Sequence, residues 1–143
     1  MNKKGILFIG LLLVIIFTSL CFVSADDGEK VDINGISFNI PEDYEINPSL
    51  GSVDEIKKYG NLSINESHKA YSDKDGKHLG ITVDTYNETV TLESLKITGD
   101  EKTFGSVKGV HSYDNLNFFK YLKDGKLVTI TYEDESIVEG VIN

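Results

Sequence analysis

Leu116-Asn117-Phe118-Phe119-Lys120-Tyr121-Leu122-Lys123-Asp124-Gly125-Lys126-Leu127-Val128-Thr129-Ile130-Thr131-Tyr132 is the stretch whose reading decides the fold. Two β-rich runs flank Asp124-Gly125. A two-residue Asp-Gly loop favours a type I′ turn, because both central residues need positive φ and these two tolerate it. The turn sets the register: Lys123 faces Lys126, Leu122 faces Leu127, Tyr121 faces Val128 and Phe119 faces Ile130. One face then carries Phe119, Tyr121, Val128, Ile130 and Tyr132, an apolar core face. The other carries Phe118, Lys120, Thr129 and Thr131, a half-wet face.

The same grammar recurs along the chain. Lys30 to Ile40 reads as a hairpin with Asn34-Gly35 at its tip. Pairing Ile33 with Ile36 puts Val31, Ile33, Ile36, Phe38 and Ile40 on one side. Pro41 ends that strand, since it has no N–H to give a ladder. Lys69 to Tyr86 is a third hairpin around Asp75-Gly76, with Leu79, Ile81 and Val83 alternating against polar neighbours. Lys102–Phe104 and Val107–Tyr113 are two more strands, and Asp114-Asn115 turns the chain into the central hairpin.

Three segments read as helices. Ser52-Val53-Asp54-Glu55 has the form of a capping box, followed by Lys57 and Lys58 at the negative end of a dipole and Gly60 at C′. It predicts a two-turn helix packing Val53, Ile56 and Tyr59 on the sheet. Thr91 to Ile97 predicts a second short helix, and Asp134 caps a third with Ile137, Val138, Val141 and Ile142 as its stripe. The sum is an α+β fold. A mainly antiparallel β-sheet of about seven strands carries two or three short flanking helices, preceded by an N-terminal hydrophobic export or anchor helix.

That leader occupies residues 1–25. Lys3 and Lys4 precede an uncharged, mostly aliphatic run from Gly5 to Val23, and Val23-Ser24-Ala25 has the small-x-small form of a cleavage site. The run is long for a signal peptide and close to the length of a bilayer span, so cleavage after Ala25 and retention as an anchor are both open. Either outcome places the rest of the chain outside the cytosol. Residues 26–29 are a polar linker and 30–143 a single domain. Beyond the leader there are no cysteines, and the chain has no arginine and 23 acidic residues. Such a domain repels phosphate, which argues against nucleic acid; the membrane is met only through the N-terminal segment. The charges are spread evenly and read as solubility, with cation binding as the functional alternative.

The stretch Ile33-Asn34-Gly35-Ile36-Ser37-Phe38-Asn39-Ile40-Pro41-Glu42-Asp43-Tyr44 resembles the opening of small exported domains of the PsbP/Mog1/DcrB kind. It is also similar to short exported proteins of methanogenic archaea. The resemblance implies a sheet flanked by helices and an extracytoplasmic, non-catalytic role, and it brings no catalytic motif with it. Such domains often have Gly-Trp after the proline, where this chain has Asp43-Tyr44.

Chemistry-bearing residues are few. Asp73, Asp75 and His78 in Asp73-Lys74-Asp75-Gly76-Lys77-His78 could converge on a metal cation, although the run lacks the further ligands of a calcium loop. His68, His78 and His111 come from separate segments without ligand spacing. No Gly-x-Ser-x-Gly turn, thiol nucleophile or phosphate loop is present, no cofactor is implied, and no carboxylate pair stands out. Asn61, Asn65 and Asn87 head glycosylation sequons in predicted loops. The strand tyrosines are core-edge aromatics unless exposed together. The reading is a non-enzymatic extracytoplasmic binding or accessory domain, whose partner is a cell-envelope protein or surface ligand. The alternative is a cation-binding module using the Asp73–His78 turn. A small hydrolase is the third.

Overall fold

Asp124 and Gly125 both take positive φ, 52° and 73°, and Asn34-Gly35 does the same at 51° and 78°. These are the dihedrals of type I′ turns, whose twist matches that of the strands they join. In the computed structural model, which describes residues 28–143, the central hairpin has the expected register, from Lys123↔Lys126 through Phe119↔Ile130. Ile33↔Ile36 likewise closes the first hairpin. The leader expected at residues 1–25 lies outside the described residues. No helix among the described residues is long and apolar enough to cross a membrane.

The chain runs through β1 (Glu29–Ile33), β2 (Ile36–Ile40), β3 (Glu45–Ile46), β4 (Ser52–Tyr59), β5 (Leu62–Ser72), β6 (His78–Tyr86), β7 (Asp100–Phe104), β8 (Val107–Asp114), β9 (Leu116–Lys123) and β10 (Lys126–Tyr132). A 3₁₀ turn (Glu135–Ile137) and one helix, α1 (Val138–Ile142), finish it. β1 and β2 form a separate ribbon. The other eight strands make one antiparallel sheet in the order β3-β5-β6-β10-β9-β8-β7, with β4 beside β3 along the outer edge of β5.

The expected α+β plan is therefore overturned. Among the described residues the structure is almost all β, with ten strands rather than about seven and a single short helix at the C-terminal end. Ser52–Tyr59 is not a helix but strand β4, paired along its whole length with Leu62–Lys69 of β5. Two turns of isolated helix are marginal in water. Pairing with β5 satisfies the same backbone groups against a ladder that already exists, and Gly60, at φ 63°, serves the hairpin turn instead of a helix end. Thr91–Ile97 nucleates without propagating. Thr91 Oγ1 accepts from Ser94 N and Ser94 Oγ accepts from Thr91 N, a reciprocal cap, but Lys96 turns to φ 53° and stops it. The third helix does form. Asp134 Oδ1 accepts from Ser136 N at 3.0 Å, and Val138, Val141 and Ile142 are buried. Its missing cap comes from elsewhere in the fold, because Asn39 Nδ2 donates to the Asn143 and Gly140 carbonyls.

The ribbon and α1 share one core with one face of the sheet. Ile33, Ile36, Phe38 and Ile40 from the ribbon, Val138, Val141 and Ile142 from α1, and Leu79, Ile81, Val83, Phe119, Tyr121, Val128, Ile130 and Tyr132 from the sheet belong to a single buried cluster. Phe119 meets Phe104 edge-to-face at 4.9 Å. At the other end of the ribbon, the Asn34 side chain donates to Thr85 Oγ1, so the tip is tied to β6.

Neighbouring phenylalanines test this division of faces. Phe119 is fully buried, whereas Phe118 is half-buried on the opposite side. Phe119→Ala is expected to cost about 3–5 kcal/mol and Phe118→Ala about 1 kcal/mol. Urea titration of the two variants checks the order; equal costs would mean the faces are misassigned.

Candidate functional site

The sheet face without the ribbon carries the polar groups. The β5–β6 register sets Ser72 opposite His78, Ala70 opposite Gly80, His68 opposite Thr82 and Glu66 opposite Asp84. Leu127 of β10 lies beside Asp84, and β4 adds Lys57 and Glu55 at the margin. Leu127 is buried yet lies outside the main core cluster, as does Val90 from the connection 87–99. Buried Leu127 and the buried Oδ1 of Asp84 make this face only partly wet.

Ala70 and Gly80, two of the smallest residues, leave a shallow gap, and two imidazoles fold into it. A Cβ placed on Gly80 would meet His78 Nε2 at 2.9 Å and His68 Cε1 at 3.4 Å, so both rings converge on one point. His68 Nδ1 is 2.9 Å from Thr82 Oγ1, which orients that ring. His78 Nδ1 is buried with no hydrogen-bond partner. Burial lowers both histidine pKa values, and for His78 the neighbouring His68 lowers it further, against a raising influence from Glu133. At neutral pH both rings are uncharged.

Asp84 is the other perturbed group. Its Oδ1 is buried and unpartnered. Burial, then the facing Glu66 carboxylate, push its pKa up to about 6, against the pull of Lys57 and Lys120. Glu66 is better provided for: Lys57 Nζ donates to its Oε1 at 2.9 Å and bridges Glu55 at 3.0 Å. Two carboxylates that face each other, one ion-paired and the other pushed toward neutrality, are the pair that composition could not single out. The Asp75-Gly76 pair does not reveal it, because a two-residue turn there would set Glu66 opposite Thr85, whereas the observed connection runs from Asp73 to Lys77. Placing Ser72 opposite His78 fixes Glu66 opposite Asp84 by counting back along both strands.

The turn proposed as a metal site is arranged differently. Asp73 Oδ1 accepts from Asp75 N at 2.9 Å and Lys77 N at 2.8 Å, so its carboxylate closes the loop. Asp75 is exposed at the tip, and the His78 ring turns away onto the sheet face. The three do not come together, and among the described residues no group of three or more His, Cys, Asp or Glu is placed to hold a metal ion. His111 sits apart, 3.1 Å from Asn117 Oδ1.

Of the sequon asparagines, Asn61 lies in the β4–β5 turn and Asn87 just after β6, but Asn65 lies inside β5 rather than in a loop. Asn87 Oδ1 accepts from Ser63 N and its Nδ2 donates to the Asn61 carbonyl, so this side chain is already engaged. Tyr71, Tyr121 and Tyr132 are core residues, whereas Tyr113, like Tyr59, is exposed. Two open clefts, of 320 and 480 Å³, flank α1 and the β8–β9 end, and neither includes His68, His78 or Asp84. Compared with family models, with curated proteins and with solved structures, the chain matches none.

The electrostatics make a signed prediction. Between about pH 6 and 4, folded Asp84 is protonated while the unfolded carboxylate is ionised, so its contribution to stability grows as pH falls through that window. The histidines act in the opposite sense, because below about pH 6.5 the unfolded rings protonate first. Asp84→Asn is expected to stabilise the fold by about 1–2 kcal/mol at pH 7.5, less than the full displacement implies because water reaches part of the side chain. The gain should vanish near pH 4. Urea midpoints at the two pH values decide it, and a loss of stability at pH 7.5 would contradict the placement.

Proposed function

We propose that this chain is a non-enzymatic binding or accessory domain that works outside the cytosol, secreted or tethered, and that it grips its partner along the β4 edge of the sheet. The observation that carries this reading is the edge itself. β4 is eight residues long and pairs on one side only among the described residues. Ile56 and Tyr59 on it are 66 % and 62 % exposed, and Ile46 and Leu50 beside it are 61 % and 49 % exposed. Folded domains normally blunt such an edge, since its unpaired N–H and C=O groups invite another strand. An eight-residue edge that keeps exposed Ile56 and Tyr59 among its charges supports a binding role, with main-chain hydrogen bonds supplying affinity and alternate side chains supplying selectivity.

The lysine-flanked apolar leader supports an extracytoplasmic address. The resemblance of Ile33–Tyr44 to the opening of PsbP/Mog1/DcrB-like domains points the same way. The converging imidazoles favour a second reading, a cation-binding surface, now centred on His68 and His78 rather than on the Asp73–His78 turn. Neutral rings with a free nitrogen suit a borderline metal ion.

The edge reading is tested by immobilising the native protein and an Ile56→Asp/Tyr59→Ser variant and comparing their retention of outer-envelope protein. The native protein should retain at least tenfold more. Equal retention by both, or none by either from a protein that also fails to self-associate, discards the β4 edge as the binding surface.

A further inference from the structure

The order of residues on β4 names a partner for that edge. Ser52-Val53-Asp54-Glu55-Ile56-Lys57-Lys58-Tyr59 is self-complementary about Ile56. Laid antiparallel against a second copy with Ile56 opposite Ile56, the strand pairs Glu55 with Lys57, Asp54 with Lys58 and Val53 with Tyr59. Every cross-strand pair is then apolar with apolar or acid with base. Such pairs are the units that stabilise a ladder, and like charges in the same positions would oppose it. The pairing also respects the two faces. Asp54, Ile56 and Lys58 share one side of the strand and Val53, Glu55, Lys57 and Tyr59 the other, and a two-fold axis through Ile56, perpendicular to the sheet, maps each set onto itself.

We propose that two copies of this chain join edge to edge through β4, forming one continuous antiparallel sheet across a two-fold axis at Ile56. The inference rests on the reading of the β4 edge as a binding surface and supplies its partner. It accounts for three features that the single chain leaves idle. Ile56 is exposed on the axis, and Tyr59 is exposed opposite where the second copy's Val53 arrives. Asp54 and Lys58 are exposed, without an ion-pair partner among the described residues, and face only Ser67 and Ser63 on β5. Lys57 is already engaged by Glu55 and Glu66 of its own chain. The Asp54–Lys58 pair is therefore the contact that only the dimer makes.

Because both residues face serines within the chain, swapping their charges leaves the fold undisturbed and interrogates the pairing alone. Sedimentation of the purified protein at low salt, from about 10 μM to 1 mM, covers the range expected of an interface at the small end of the size classes. The native protein should pass from monomer to dimer. Asp54→Lys and Lys58→Asp should each weaken association at least tenfold, and the double variant should restore it. The two single changes move net charge in opposite directions, so weakening by both excludes a general charge effect. Ile56→Lys, which sets two like charges on the axis, should abolish association, and raised salt should weaken the native dimer. A native protein that stays monomeric, or a double variant no better than the singles, overturns the proposal. Loss of envelope retention in Ile56→Asp/Tyr59→Ser alongside a monomeric native protein would leave the edge a binding surface and discard only the second copy as its occupant.

Discussion

The β9–β10 ladder is the constraint on which the rest of the structure depends. Its register is held by Asp124 and Gly125 at positive φ and by the burial of Phe119, Tyr121, Val128, Ile130 and Tyr132 on one side. A slip of β10 by one residue would turn Val128, Ile130 and Tyr132 outward and bring Thr129 and Thr131 against the ribbon, while Phe119 and Tyr121 stayed inside. β6 pairs on the free side of β10, and β8 on the free side of β9. An error in the central pair would therefore propagate to both edges. The ribbon and α1 need a single apolar face to cover, and they have one only while that register holds.

Two strand pairs could be read with their register from residues alone because each joins an Asx-Gly turn with both φ positive to strict alternation. Two independent signals then agree. β5–β6 could be read as a hairpin but not in register, since around Asp75-Gly76 only Gly76 has positive φ. β4 could not be read as a strand, because Ser52-Val53-Asp54-Glu55 satisfies a helix-start pattern, and the chemistry that caps a helix is equally at home on an exposed edge strand. What decides between the two is a neighbour ten residues on in sequence, β5, which local propensity does not see. Thr91 shows the same limit from the other side, since its cap forms but the helix does not. Among the functional groups, His78 was legible as a candidate, yet its partner is His68 rather than Asp73 or Asp75. Asp84 was missed because its distinction is positional. Nothing in the segment around it marks one aspartate among 23 acidic residues, and only the β5–β6 register sets it against Glu66 and Leu127.

The open face concentrates the polar compromises of the molecule. Gly80 and Ala70 give up side-chain volume, and the space is taken by two imidazoles that stay neutral because burial disfavours their charged forms. Asp84 is a costlier occupant. A core chosen for stability alone would place an amide or an apolar group there, and the pull of Lys57 and Lys120 offsets only part of its burial. Burial lowers the histidine pKa values and raises that of Asp84, so the two kinds of group act on stability in opposite senses as pH falls.

The two edges of the sheet are treated unequally, and that inequality shapes what the molecule can assemble into. β7 is five residues long and opens with Asp100-Glu101-Lys102, a short charged margin of the kind that discourages pairing. β4 is longer and apolar at its centre, but its charges are ordered rather than absent. Antiparallel pairing about Ile56 matches every acid to a base. Shifting the axis by one residue puts Glu55 against Glu55 or Lys57 against Lys57. Parallel in-register stacking, the geometry of fibrils, would oppose Asp54, Glu55, Lys57 and Lys58 each to its own copy. The same four charges thus favour one closed pair and penalise the open-ended alternatives. Once two β4 strands are joined, the guarded β7 margins lie at the two far ends of the shared sheet and discourage further growth there.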